Sequence, residues 1–94
     1  DFSEAESVVV DSYGNIVVAG TTGLENQAFV VAMYNQTGIL DPGFGLNGIV
    51  EINFNKNSVD RAHSLIIEND GKIIVAGETT NEYTTFGLVR LIGK

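Results

Sequence analysis

The chain contains two copies of one sequence unit, because Gly71 and its neighbours repeat Gly14 and its neighbours after 57 residues. Residues 1–37 align with residues 58–94 without a gap, and ten positions are identical, which is a strong repeat signal. In the clearest stretch, Gly14–Gly20 aligns with Gly71–Gly77, and both consist of an aliphatic run between glycines. A fixed period of this length indicates a repeat architecture, in which each unit buries its faces against its neighbours.

Each unit is predicted to consist of short antiparallel β-strands. Links rich in Asp, Asn and Gly, such as Asn69-Asp70-Gly71, are hairpin signals because these residues accept the positive φ of a tight turn. A link this short leaves no room for a crossover, so the strands that it joins pair antiparallel. The predicted strands are rich in Val and Ile and cover residues 5–10, 15–20, 28–34 and 48–54 in the first unit and 62–67, 72–77 and 85–91 in the second.

The apolar runs are nearly continuous, which is typical of strands buried on both faces. Stacked sheets of a β-propeller have this property, since each blade lies between two others. We therefore predict an all-β fold of propeller-type blades, with one four-stranded blade in residues 1–57 and three strands of a second in residues 58–94. Four strands and three do not close a ring, so we expect these blades to belong to a larger propeller or to associate with copies of the chain.

Three stretches resemble the bacterial delta-60 repeat family, and the resemblance extends over practically the whole chain. They are Asp70–Gly77, which reads DGKIIVAG, Phe86–Leu91, and the segment Gly38–Val50, which reads GILDPGFGLNGIV. A weaker similarity is to NHL-type propellers, whose blades also open with two strands around an Asp-x-x-Gly turn. The resemblance implies a β-propeller in a large bacterial protein, extracellular or at the cell surface, and it brings no catalytic motif.

Composition excludes several classes of protein and partner. The net charge of −7 repels phosphate, so we expect neither nucleic acid nor an anionic membrane as a partner. The absence of cysteine excludes disulfides, thiolate metal sites and cysteine nucleophiles. No apolar run approaches the roughly 20 residues of a membrane span, so no membrane insertion is expected.

Two motifs suggest chemistry that their context does not favour. Gly43–Gly48 matches G-x-G-x-x-G, but it leads into a predicted strand, whereas a dinucleotide site needs the loop to open a helix. We therefore predict a glycine-rich turn there, with Phe44 packed over the edge of a blade. His63 is the only histidine, and catalysis would need a convergent partner that spacing does not identify, so a packed or rim position is expected.

The acidic and aromatic residues also receive structural interpretations. Acids that could bind calcium are expected to satisfy turn backbone instead, and they are Asp11, Asp41, Asp60, Glu68 and Asp70. The sequon Asn35-Gln36-Thr37 is expected to be incidental in a bacterial protein. The aromatic residues Phe29, Tyr34, Phe54 and Phe86 could line a ligand groove. However, Phe29 and Phe86 are repeat equivalents, which favours repeated core packing. Tyr13 and Tyr83 lie in links and are expected to make surface contacts.

No catalytic, cofactor or metal residue is predicted, and three functions stay open. The first is a non-enzymatic scaffold or recognition module that binds protein or carbohydrate. The second is part of a propeller enzyme whose site lies in other blades, and the third is a self-associating two-blade lectin-like protomer. We also expect the strand at residues 85–91 to leave an open sheet edge, which pairs with or is covered by another chain.

Overall fold

The chain forms two antiparallel sheets in a computed structural model that describes residues 3–23, 27–55 and 57–93. The first sheet has the strand order β1-β2-β3-β4, and the second has the order β5-β6-β7, so every strand pairs with its neighbours in sequence. The strands are β1 (Ser3–Val10), β2 (Ile16–Thr22), β3 (Ala28–Tyr34), β4 (Ile49–Ile52), β5 (Val59–Ile67), β6 (Ile73–Thr80) and β7 (Thr84–Leu91).

These elements confirm the predicted all-β fold with propeller-type blades, one of four strands and one of three. The strands differ from the predicted ranges mainly at their ends, because β1 and β5 begin earlier and β4 is shorter than residues 48–54. No helix among the described residues is long and apolar enough to cross a membrane. One sheet lies in each predicted unit, while the boundary between residues 57 and 58 stays a prediction.

Both sheets contain a β-bulge at the same place in the repeat. The pairing of β1 with β2 shifts between Ala5 and Ser7, and the pairing of β5 with β6 shifts between Ala62 and Ser64. A bulge places one extra residue in one strand and increases the local twist. The shared position of the two irregularities shows that the repeat is structural as well as sequential.

The two sheets pack face to face around one hydrophobic core. The first sheet contributes the side of its strands that we call the Phe29 face, which consists of Val9, Val17, Ala19, Phe29 and Val31. The second sheet contributes the Val75 face, which consists of Leu65, Ile67, Ile73, Val75 and Val89. At one end of this core, the rings of Phe29 and Phe54 meet edge to face, with centroids 5.0 Å apart.

A buried carboxylate joins the sheets beside this aromatic pair. Asp60 is fully buried and accepts hydrogen bonds from the Thr79 hydroxyl and, at 3.0 Å, from the Phe54 amide. Its own amide donates to the carbonyl of Gln27 at 2.8 Å, which links β5 to the start of β3. The segment between β4 and β5 is thus held by backbone and side-chain hydrogen bonds as well as by apolar contacts.

The prediction that Phe29 and Phe86 both pack in the core was wrong for Phe86. Phe29 is fully buried, whereas Phe86 is 97% exposed. The reason is that equivalent faces of the two sheets have different surroundings, since the Phe29 face lies against the second sheet and no described residue covers its equivalent. For the same reason, the strands are buried on one face and only half-buried or exposed on the other.

Candidate functional site

Three turns share one backbone pattern. In each, the first residue donates its amide to the carbonyl of the fifth, and the glycine at the fourth position donates back to the carbonyl of the first. The glycine adopts a φ of 86° at Gly14, 88° at Gly38 and 88° at Gly71. This left-handed conformation favours glycine, which explains why the same residue recurs in all three turns.

Two of these turns border a cleft of about 360 Å³ between the ends of the two sheets. Asp11, Ser12 and Tyr13 form one wall, and Glu68–Gly71 forms the other. The floor is apolar and consists of the ends of the core strands, at Val9, Val10, Val17, Met33, Ile67 and Ile73. An apolar floor with polar groups along its rim is typical of small-ligand sites, and we call this feature the turn cleft.

Ion pairs compensate two of the three carboxylates at the turn cleft. The Lys72 ammonium lies 2.8 Å from Asp70 Oδ2, and Arg90 Nε lies 2.9 Å from Glu68 Oε1. The hydrogen bond from the Lys72 side chain lowers the pKa of Asp70 below its usual 3.8, and the Lys72 amide adds to this. The rim therefore presents carboxylate oxygens without a large local excess of negative charge.

Asp11 is stabilised as an anion by its own turn. Burial acts to raise the pKa of Asp11, but hydrogen bonds from the Asn15 amide and side chain and from the Tyr13 and Gly14 amides outweigh it, so the pKa is lowered. Oδ1 accepts from the amides of Tyr13 and Asn15 at 2.9 Å each, and Oδ2 accepts from Asn15 Nδ2 at 3.1 Å. Asp11 thus holds the turn in the shape that displays Tyr13.

The acids considered as calcium ligands lie in three different places. Asp11, Glu68 and Asp70 border the turn cleft, Asp60 is buried between the sheets, and Asp41 is buried in the link after β3. Asp41 Oδ1 accepts from the Gly43 amide at 2.9 Å, which is the turn role expected of it. Within residues 3–23, 27–55 and 57–93, no group of three or more acidic or histidine side chains is placed to hold a metal ion.

The glycine-rich motif forms consecutive turns that lead into β4, as predicted. The Phe44 amide donates to the Asp41 carbonyl at 3.1 Å, and the Gly48 amide donates to the Phe44 carbonyl at 2.7 Å. Phe44 itself is 2% exposed and belongs to the core. The sequence predicted that it packs over the edge of a blade.

The structure separates the aromatic residues that could have lined one groove. Phe29 and Phe54 are in contact between the sheets, while Tyr34 lies on the outer side of the first sheet and Phe86 on the outer side of the second. His63 lies beside Phe86 and is exposed, with Nε2 3.2 Å from Glu78 Oε1. A single aromatic groove is therefore not formed by these four residues.

Sequence reasoning missed the turn cleft and the pair Glu68–Arg90 at its rim. Both turns were predicted, but nothing in the spacing showed that sheet stacking brings them to the same end of the molecule. The 57-residue repeat held the only available signal, since stacked units place equivalent links side by side.

Comparison with known proteins gives one match. Residues 68–91 match a family model described as a domain of unknown function (DUF5122) beta-propeller, so the match lies in the second unit. No curated protein matches the chain, and no solved structure matches it. The match agrees with the propeller character implied by the resemblance, while the narrower delta-60 assignment stays a resemblance. Together with the two antiparallel sheets, this match is consistent with β-propeller-type blades.

Proposed function

We propose that the chain is a non-enzymatic recognition module that binds a carbohydrate in the turn cleft. The observation that carries this proposal is the position of Tyr13, which is 81% exposed on the rim of a cleft with polar walls. A phenol ring offers a flat apolar surface and a hydroxyl, so it suits ligands that are apolar on one side and wet on the other. Sugars have this character.

The walls of the cleft supply the polar contacts that such a ligand needs. Ser12 and Asn69 can donate or accept hydrogen bonds, and Asp70 accepts them. The turns hold these groups in place through their backbone hydrogen bonds, so ordering the site on binding costs little. A carbohydrate ligand also suits the cell-surface setting expected from the resemblance.

The proposal is tested by NMR titration of the ¹⁵N-labelled chain with three soluble probes, namely chitotriose, cellotriose and maltotriose. We expect at least one trisaccharide to shift the amide signals of the two cleft turns. Tyr13→Ala should weaken that binding about tenfold or more, as expected for the loss of a stacked aromatic ring. Tyr83→Ala is the matched control, because Tyr83 is 78% exposed in a turn away from the cleft, and its binding should not change.

Other results would contradict the proposal. Binding of none of the three probes, shifts confined to residues outside the cleft, or equal binding by Tyr13→Ala and the wild type would each oppose a carbohydrate site here. Consumption of a probe during prolonged incubation, followed by chromatography, would contradict the non-enzymatic part.

A further inference from the structure

The interface between the two sheets is built from non-equivalent faces of equivalent units. Advancing the Phe29 face by 57 residues gives a set in the second sheet that we call the Phe86 face, which consists of Ile66, Ile74, Ala76, Phe86 and Leu88. Going back 57 residues from the Val75 face gives the Val18 face of the first sheet, which consists of Val8, Val10, Ile16, Val18 and Ala32. The two sheets thus pack head to tail, which means that unlike faces of equivalent units meet at their interface.

Both additional faces are apolar and open. On the Phe86 face, Phe86 is 97%, Leu88 65% and Ile66 57% exposed. On the Val18 face, Val8 and Val10 are more than half exposed, and the remaining members are half-buried. Contiguous exposed apolar surface of this kind marks an interaction site. The two faces are also the counterparts of surfaces that already bind each other inside the chain.

The Val18 face has a hollow at the position equivalent to the one that Phe29 contacts on the second sheet. Inside the chain, Phe29 lies beside Gly87, with its Cζ atom 3.4 Å from the point where a Cβ would stand. The residue equivalent to Gly87 in the first unit is Val30, and it lines a hollow of about 280 Å³ together with Val18 and Gly20. If the Phe86 face of one chain packed on the Val18 face of a second copy as the two sheets pack inside the chain, the Phe86 ring would therefore lie in this hollow.

Val30 is compatible with this contact although it is larger than glycine. The tight contacts of a Cβ at position 87 are with Phe54, at 2.9 and 3.0 Å, whereas the contact with Phe29 is an ordinary one. A Phe86 ring that meets Val30 in the way that Phe29 meets Gly87 would therefore make the ordinary contact and not the tight ones.

Polar residues frame the Phe86 face. The pair His63–Glu78 lies at one end and the pair Glu68–Arg90 at the other, and all four side chains are at least partly exposed. An apolar centre within a polar rim is the usual anatomy of a protein interface. The centre matches the Phe29 face residue for residue in character, which a surface selected only for contact with water would not do.

We propose that the Phe86 face of one chain binds the Val18 face of a second copy, head to tail, with Phe86 seated in the hollow beside Val30. Such a contact is heterologous, because each chain keeps one free face of each kind, and it produces closed rings or open filaments. The turn cleft shares Val10 with the Val18 face and Glu68 with the frame of the Phe86 face, but neither Phe86 nor Val30 lines it. Variants at Phe86 and Val30 therefore test association separately from binding in the cleft.

Sedimentation velocity of two single-face variants tests the proposal. The wild-type chain should associate with rising concentration, whereas Phe86→Lys and Val30→Lys should each weaken association about 30-fold or more, the effect of losing a central contact. Because the net charge is −7, each added lysine lowers general repulsion, so weaker association cannot come from bulk charge. Tyr83→Lys is the matched control, and it should associate like the wild type.

Mixing the two variants gives the decisive result. The Phe86→Lys chain retains an intact Val18 face, and the Val30→Lys chain retains an intact Phe86 face, so an equimolar mixture should form a one-to-one heterodimer and nothing larger. Circular dichroism checks folding, and Ala32→Lys on the same face replaces Val30→Lys if that variant unfolds. A wild-type chain that stays monomeric at about 100 μM, above the μM-to-pM range of Kd values for interfaces of standard size, would overturn the proposal. A mixture that stays monomeric, or a single variant that associates like the wild type, would also overturn it.

Discussion

Gly77 is required by the close approach of two strands and not by its own conformation. A Cβ on Gly77 would overlap the carbonyl oxygen of Arg61 and lie 2.8 Å from the Cα of Ala62, which are rigid backbone atoms of β5. Gly20 has the same relation to Glu4 and Ala5 in the first unit. In both units the glycine lies next to the bulge, where the two backbones are closest.

We expect Gly77→Ala to destabilise the chain by about 3 kcal/mol or more, since backbone atoms must move to admit the methyl group. Gly71→Ala is the comparison, because a Cβ there meets nothing within 4 Å and only the φ of 88° opposes it. Its expected cost is about 1–2 kcal/mol. Urea unfolding of both variants measures the difference, and equal costs would show that the overlap at Gly77 is relieved by a small shift.

These two glycines also show what the sequence could and could not predict at this scale. Gly71 was predictable, since Asn69-Asp70-Gly71 is a turn signal whose physical basis is local. The need for Gly77 was visible only as a repeated residue. Its cause is the approach of a neighbouring strand, and the distance between two strands is not a property of the residues around the glycine.

At the scale of the element, the three turns reach one shape with different side chains. Asp11 and Asn35 accept amide hydrogen bonds from the residues that follow them within their turns. In the third turn, Glu68 pairs with Arg90, and the turn amide of Lys72 donates to Asp70 instead. The backbone pattern therefore depends on the glycine, while the side chain that accepts the turn amides differs between the turns.

The unfolding free energy should fall in acid partly through Asp11. Hydrogen bonds hold its pKa below the usual 3.8 in the folded chain, so its contribution is complete above that value and declines as the pH falls through the folded pKa. Asp11→Asn keeps an acceptor oxygen but does not titrate. We expect this variant to lose about 0.5–1 kcal/mol less than the wild type between pH 5 and 2, because solvent screening limits the effect.

Urea unfolding at a series of pH values measures this difference. An Asp11→Asn variant with the same acid sensitivity as the wild type would show that the carboxylate contributes no more as an anion than an amide does.

Strand positions were predictable because their sequence signals are local. The cleft was not predictable, since it depends on how the two sheets stack. Residues 15–20 form an aliphatic run with turn residues on both sides, and this pattern is enough to locate β2 within one or two residues. The meeting of Tyr13 with Asn69 and Asp70 depends on the angle between two sheets. The same limit explains the wrong prediction for Phe86, since repeat equivalence gives its face but not what lies against that face.

For the whole molecule, the difference in unfolding free energy lost by substituting Phe29 and by substituting Phe86 measures how much one stacked interface contributes to stability. Phe29→Ala removes a fully buried ring that packs against Phe54, and we expect it to cost about 3–5 kcal/mol. Phe86→Ala removes an exposed ring and should change stability by no more than about 0.5 kcal/mol. Urea unfolding at low micromolar concentration compares the two.

The two substitutions serve as controls for each other, since they remove the same side chain from equivalent positions. Similar costs would mean that the ring of Phe86 has contacts in the folded monomer that its exposure does not show. A cost that appears for Phe86→Ala only at high concentration would instead come from contact between copies.

The gap-free step between the units has a consequence for how such a chain can lengthen. The second unit covers the Phe29 face of the first unit, and it exposes an equivalent surface, the Phe86 face. In-frame duplication of one unit therefore adds a sheet to the stack without a change in any packing surface. Growth of this kind has a direction, because the two ends of the stack are not interchangeable. A further 57-residue unit would therefore continue the stack in one orientation only, with its order fixed by the order of translation.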